Sequence, residues 1–342
     1  MKPKVKFGVR IARVTLIPPP PEAAVKGPDG KWGYPQFSSA EKTSVLAHIY
    51  LTLYDRLDWN VVKEVALESE RLGYDSIIFP DHPIFGRGTL DTFSTLAALV
   101  GVTSKINLGT MTFNTMRYLP SPSLFAKEVA TLDYISNGRL FPLGLGTGYM
   151  KEEYESYGFP FPPFRVRMEQ LRETIQIIRL MFTREKATFH GKHFHIENAV
   201  CEPKPVQNPF PIAIGGTGPK MLKLEAELAD FINISGSVSE VKQKLQVLEK
   251  HCQEIGRNFD EIEKSWHSWF WIYPEERELA RRSPAMARIN PESILMCTPD
   301  QCIERLQQLL DLGITYFTLR FEDLPSLDGL RLFANEVMPH FR

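Results

Sequence analysis

The chain repeats one pattern eight times: a short apolar, β-rich run, then a loop, then residues spaced for an amphipathic helix. The apolar runs fall near residues 7, 76, 106, 140, 211, 231, 262 and 315. Strands that alternate with helices point to a parallel sheet, because a parallel pair needs a crossover connection. Eight such units in 342 residues suit a closed (β/α)8 TIM barrel with insertions better than an open sheet. The whole chain, 1–342, reads as one barrel domain. Three stretches break the rhythm. Residues 15–54 include Pro18-Pro-Pro-Pro21 and cannot hold a helix or a central strand, so they are expected to form an inserted loop or lid. Residues 184–210 suggest an inserted hairpin, and 274–297 a second, charged insertion.

Several helices announce their ends. Trp59 to Leu72 carries apolar residues at helical spacing and stops on Gly73, and Ser239 to Ile255 stops on Gly256. Further helices are expected from Thr92 to Thr103, from Pro122 to Ile135 and from Phe164 to Phe182.

Composition narrows the function classes. With 43% hydrophobic and 24% charged residues, the chain has the makings of a soluble globular core. A net charge of −1 gives no electrostatic case for nucleic acid or an acidic membrane surface. Arg10 and Arg13 interrupt the only basic, apolar start, so no signal peptide is read there, and no run is apolar enough to span a bilayer. Cys201, Cys252, Cys297 and Cys302 lack C-x-x-C spacing and read as reduced thiols of a cytoplasmic protein.

Barrels gather their chemistry where strands finish. The fifth strand finishes in Pro211-Ile-Ala-Ile-Gly-Gly-Thr-Gly-Pro-Lys220. Glycines let backbone N–H groups converge, Pro219 suits a first helical turn, and a helix N-terminus adds partial positive charge. Two readings stand side by side: a phosphate cradle of Gly215, Gly216, Thr217 and Gly218 assisted by Lys220, or an ordinary flexible turn. The other strand ends supply Asp81-His82, Met111-Thr112-Phe113-Asn114, Gly146-Thr147-Gly148-Tyr149, His267 to Trp271, and Arg320-Phe-Glu322. That set holds one well-placed histidine, small polar groups, glycines and aromatics. It lacks a carboxylate–histidine cluster for a two-metal hydrolase and a G-x-S-x-G elbow. It suits a flat phosphorylated cofactor. His190-Gly-Lys-His193-Phe-His195 is read as a surface hairpin, with a metal-dependent hydrolase as the rival it would support. Strand alternation aims His267, Trp269 and Trp271 to one side.

Four motifs in order resemble the bacterial luciferase-like monooxygenase family, which comprises flavin- and deazaflavin-dependent (β/α)8 oxidoreductases. They are Glu70-Arg-Leu-Gly-Tyr-Asp-Ser-Ile-Ile-Phe-Pro-Asp-His82, Leu108-Gly-Thr-Met-Thr112, Leu132 to Gly148 continued by Glu152-Glu-Tyr-Glu-Ser-Tyr-Gly158, and Pro211 to Lys220. The resemblance implies that Gly215 to Gly218 hold the cofactor phosphate, with Lys220 assisting. It puts Thr147, Gly148 and Tyr149 beside the cofactor's tail and Met111, Thr112 and Asn114 by its ring, with a non-prolyl cis bond near Met111-Thr112. It puts His82 on the substrate side of the ring as the proton-transfer group; Asp81 is read either as a second catalytic group or as a hydrogen-bond acceptor that orients the loop. The deazaflavin sugar-phosphate subgroup places a glutamate directly after Gly-Thr-Gly, where this chain has Tyr149. For that reason FMN is the expected cofactor, with deazaflavin coenzyme F420 as the alternative. The implied activity is hydride transfer or oxygen insertion on a small organic substrate, and a non-catalytic flavin-binding protein is the rival. By resemblance a homodimer is expected, served by a separate flavin or deazaflavin reductase. Neither a metal nor nucleic acid nor a membrane is expected as partner.

Overall fold

The computed structural model describes residues 5–10, 25–26, 32–33, 58–83, 90–280 and 294–342. Eight parallel strands form the barrel: β1 (Lys6–Arg10), β2 (Ser76–Phe79), β3 (Asn107–Phe113), β4 (Leu140–Gly146), β5 (Ile212–Gly215), β6 (Phe231–Ile234), β7 (Glu263–Ile272) and β8 (Tyr316–Phe321). Each pairs with its neighbour in sequence, β8 returns to β1, and pairing of Phe231 with Glu263 through Ile234 with Trp266 completes the ring between β6 and β7. The TIM-barrel reading of the rhythm therefore holds.

Ten α-helices accompany the strands among the described residues: α1 (Trp59–Leu72), α2 (Thr92–Val100), α3 (Thr115–Tyr118), α4 (Pro122–Ile135), α5 (Lys151–Ser156), α6 (Phe164–Thr183), α7 (Pro219–Leu228), α8 (Val238–Ile255), α9 (Pro299–Leu310) and α10 (Asp328–Glu336). Local chemistry sets their ends. Pro122, Pro219 and Pro299 open α4, α7 and α9, where a missing N–H has no cost. Ser237 and Glu240 form a reciprocal capping box on α8. Helix α2 stops at Val100, short of the expected Thr103, because the chain turns at Gly101 and the Thr103 hydroxyl donates back to the Leu99 carbonyl.

Alternation along the strands divides two cores. Outward side chains such as Phe7, Ile77, Trp266, Phe270 and Phe317 pack under the helices. Inside the barrel, Ile78, Met111, Ala213, Phe231 and Tyr316 form a separate plug with Phe141 against it. Beneath them Lys6 bonds Glu263 at 2.7 Å, and the Tyr316 hydroxyl donates to Ser76. These side chains fill the lower end of the barrel.

The insertions fare differently. Of the 15–54 loop, only an antiparallel pairing of Val25–Lys26 with Trp32–Gly33 is described, so the expected lid lies outside the described residues. The 184–210 segment holds the hairpin Ala187–His190 and His195–Ala199. Its tip is tied down by the Glu173 carboxylate of α6, which accepts from the backbone N–H of Lys192, His193 and Phe194. In the 274–297 stretch, 281–293 lie outside the described residues, and Ile294–Cys297 is a further strand beside Trp269–Ile272 of β7. That strand was hidden in the sequence by its charged surroundings.

Glu70, near the end of α1, accepts from the backbone N–H groups of Ser104, Lys105 and Ile106 just ahead of β3. Burial works to raise its pKa, yet those donors and the Ser104 hydroxyl outweigh it and hold the carboxyl at about 2, below the ordinary 4.5. A carboxyl whose pKa falls on folding stabilises above its ordinary value, and that contribution fades as pH drops toward the folded one. Glu70→Gln is therefore expected to cost about 2 kcal/mol at pH 7. Its denaturant midpoint should also fall less than that of the parent between pH 4.5 and 2; parallel curves would refute this linkage.

Candidate active site

His82 follows β2 and Glu153 lies in α5, 71 positions apart in the chain, and the fold brings them into contact. The imidazole Nδ1 stands 3.0 and 3.1 Å from the two carboxylate oxygens. Glu153 is 1% exposed, and Asn114 Nδ2 donates to its Oε2 at 3.2 Å. A carboxylate accepts, so a neutral imidazole bonded to it through Nδ1 carries its hydrogen there and turns the lone pair of Nε2 outward. The Tyr149 hydroxyl lies 3.4 Å from that Nε2, on a side chain 70% exposed. A buried acid, an oriented imidazole and an exposed phenol thus form a line from the interior outward.

Asp81 faces another way. Its two oxygens accept from Arg117 Nε and Nη2 at 2.9 and 3.0 Å, and Oδ2 also accepts from the Asn114 backbone N–H. Arg117 additionally donates to Asp91, the N-cap of α2. Asp81 thereby fixes the ends of β2 and β3 relative to each other, and Arg117 is half-buried between two acids. A cleft of about 370 Å³ lined by Asp81, His82, Asn114, Arg117 and Phe159 opens beside the histidine.

The Met111–Thr112 peptide is cis, as the resemblance implied, and the pairing of β3 with β4 shifts register on both sides of Thr110. Thr112 lies between two glycines. A Cβ on Gly146 would come within 2.8 Å of Thr112 Oγ1, and one on Gly215 would overlap Thr112 Cγ2. Beyond Gly215, Gly216 and Gly218 are exposed, and Gly218 caps α7 without any side-chain hydrogen bond. No acidic residue occupies the first turn of α7. Its N-terminal N–H groups and partial positive charge therefore meet solvent at the glycine turn. Lys220 is exposed in the same turn.

The Thr147-Gly148 segment is held from α6. Arg167, 8% exposed, donates Nη1 to the carbonyls of Thr147 and Gly148 and Nε to the Pro162 carbonyl, with its guanidinium 4.0 Å from the Phe161 ring centre. Tyr118 donates to the Gly146 carbonyl, and the Tyr154 hydroxyl meets Thr115. Sequence reasoning gave no role to Glu153, Arg167 or Tyr154. Among these, only Glu153 and Tyr154 lay inside a motif that had been recognised.

The histidine tract is a surface feature. The rings of His190 and His195 stack 5.5 Å apart across the hairpin, His190 bonds Glu197, and His193 bonds Glu169 of α6. Among the described residues no group of three or more metal-binding side chains converges. None of their helices is long and apolar enough to cross a membrane.

Gly148 has φ +70, and a Cβ there would overlap the Tyr154 hydroxyl. Gly148→Ala is expected to lower stability by at least about 1 kcal/mol and to move the loop. Adding Tyr154→Phe should recover part of the loss in thermal melts, whereas no recovery would show that the phenol is not the obstacle.

The F420-dependent glucose-6-phosphate dehydrogenase of Amycolatopsis mediterranei is 26% identical over 316 residues, covering 82% of this chain and 93% of the relative. The enzyme of the same description from Microbacterium testaceum is 27% identical, covering 83% and 94%. Among solved structures, an F420-dependent secondary alcohol dehydrogenase in complex with an F420-acetone adduct superposes with a TM-score of 0.75 at 19% identity, covering 99% of each chain. A monooxygenase from Streptomyces bottropensis gives 0.71 at 18% identity, covering 98% of this chain and all of the other. Residues 43–290 match the luciferase-like monooxygenase family, and the chain belongs to that family of oxidoreductases.

Proposed function

We propose that the chain is a deazaflavin-dependent oxidoreductase, in which hydride passes between a bound F420-type cofactor and a small organic substrate while His82 handles the proton. The observation that carries this reading is the Glu153–His82 pair at the open end of the barrel. Two further observations support it. The glycine turn at an uncapped helix start is chemically suited to a cofactor phosphate. The curated relatives that match most of the chain are F420-dependent dehydrogenases. FMN was favoured from the sequence because Tyr149 stands where a glutamate follows Gly-Thr-Gly in the deazaflavin sugar-phosphate subgroup. Glu153, four positions later, supplies a buried carboxylate against the histidine, so that departure no longer argues against a deazaflavin.

The residues fit the cofactor at two places. Gly215 to Gly218 with the start of α7 would hold the phosphate, and the bulged Met111–Thr112 segment would support the ring. When bound, the ring supplies the centre that accepts or donates hydride. The protein's own groups do the rest. Glu153 orients the imidazole, fixes its tautomer and stabilises the charge that appears when Nε2 takes a proton. The exposed Tyr149 phenol, within reach of Nε2, extends that path toward solvent.

Two measurements test this reading. Purified protein titrated with FMN and with F420, each oxidised and reduced, should bind F420 more tightly; preference for FMN together with substrate-dependent oxygen uptake would make it a monooxygenase. His82→Ala should retain cofactor binding and lower turnover by about 10²–10⁴-fold, and Glu153→Gln should lower it by about 10²-fold. Unchanged turnover in His82→Ala would remove the histidine from the reaction.

A further inference from the structure

His267 belongs to the inner face of β7. Its neighbours Trp266 and Phe270 point outward under the helices, whereas the Ser265 hydroxyl bonds Asn233 on the inner side. Pairing puts His267 beside Thr318 of β8, and Thr318 beside Gly8 of β1. One tier higher, toward the open end, Trp269 pairs with Arg320, whose guanidinium lies 4.5 Å from the Trp269 ring centre, and Arg10 ends β1 opposite Ile78. Among the described residues, the charges that lower the pKa of the imidazole are those of Arg10, Lys244 and Arg320. Lys244 donates to the Ser235 carbonyl at the end of β6, and Arg320 is bonded to Glu322.

Two features make this wall unlike packing. The His267 Nδ1 is enclosed and has no hydrogen-bond partner among the described residues, an arrangement that is destabilising unless something fills it. Burial first, then the three cations, hold its pKa down to about 3. The ring is thus neutral at physiological pH, beside three cations against the one carboxylate of Glu322. Guanidinium groups bind planar oxyanions through paired N–H donors, and Arg320 lies over the Trp269 indole.

We infer that this wall, formed by Arg10, His267 and Arg320, seats an oxyanion group of the substrate: a carboxylate, phosphate or sulfonate. Only the word substrate rests on the oxidoreductase reading; the anion seat does not. An anion placed between the arginines offsets the charges that hold the imidazole neutral, so His267 gains a proton and becomes a donor to it.

The probe is inorganic phosphate, with chloride at matched ionic strength as control, and the readout is the His267 imidazole resonance of the full chain with and without F420. Phosphate should shift that resonance saturably and raise its apparent pKa, and chloride should do neither. Arg10→Gln and Arg320→Gln should each weaken the phosphate response at least tenfold, and Arg320→Lys should restore part of it. The inference fails if phosphate leaves the resonance unmoved or if the response survives both glutamine substitutions. It also fails if phosphate displaces F420 competitively, which would make the wall a cofactor phosphate seat. Failure of F420 to bind defeats the oxidoreductase reading alone, because the phosphate response of the cofactor-free protein still tests the wall.

Discussion

Thr112 is the point through which three parts of the open end are held at one spacing. Its side chain occupies the space that a Cβ would need on Gly146 and on Gly215, so β3, β4 and β5 approach closely at the level where the strands finish. The cis Met111–Thr112 peptide lies immediately before it, and the glycine turn leading into α7 begins immediately after Gly215. Any larger residue at either glycine would push the Met111–Thr112 segment away from the glycine turn that leads into α7. Well-packed interiors transmit such displacements instead of absorbing them.

Around that contact the polar groups form a connected frame. Asn114 touches both carboxylates near the histidine: its backbone N–H donates to Asp81 and its side-chain amide to Glu153. Asp81 in turn holds Arg117, and Arg117 reaches the N-cap of α2. The two acids nearest His82 therefore do different things. Asp81 ties loops together, while Glu153 addresses the imidazole itself. A buried network of this kind is stabilising only while every member keeps its partner, which makes Asn114 as consequential for the site as the histidine.

Much of the scaffold was legible in the sequence because several of the buried parallel strands, such as Ser76–Phe79, Ile212–Gly215 and Phe231–Ile234, are short and largely apolar. Ile294–Cys297 was missed because four residues at the end of a charged stretch carry too little signal. The glycine turn into α7 and the place of His82 at a strand end could be read because glycines, a proline and an Asp-His pair mark where strands finish. Glu153 could not: Lys151-Glu-Glu-Tyr-Glu155 looks like a solvated helix face, and only α5 folding back over β2 and β3 shows that Glu153 is buried while Glu152 and Glu155 stay exposed. Arg167 was hidden in the same way, as one charge among several in an amphipathic helix. Long-range contact made these residues functional candidates, and no local pattern encodes it.

The direction of the Glu153–His82 hydrogen bond gives the imidazole a polarity in time as well as in space. In a neutral ring, an Nδ1 hydrogen given to the carboxylate leaves Nε2 with room for a proton and none to give. Such a group starts each cycle as a base and becomes an acid only after it has been loaded. A ring held this way takes up a proton at Nε2 without rearrangement, whereas giving one from Nε2 requires that it be loaded first.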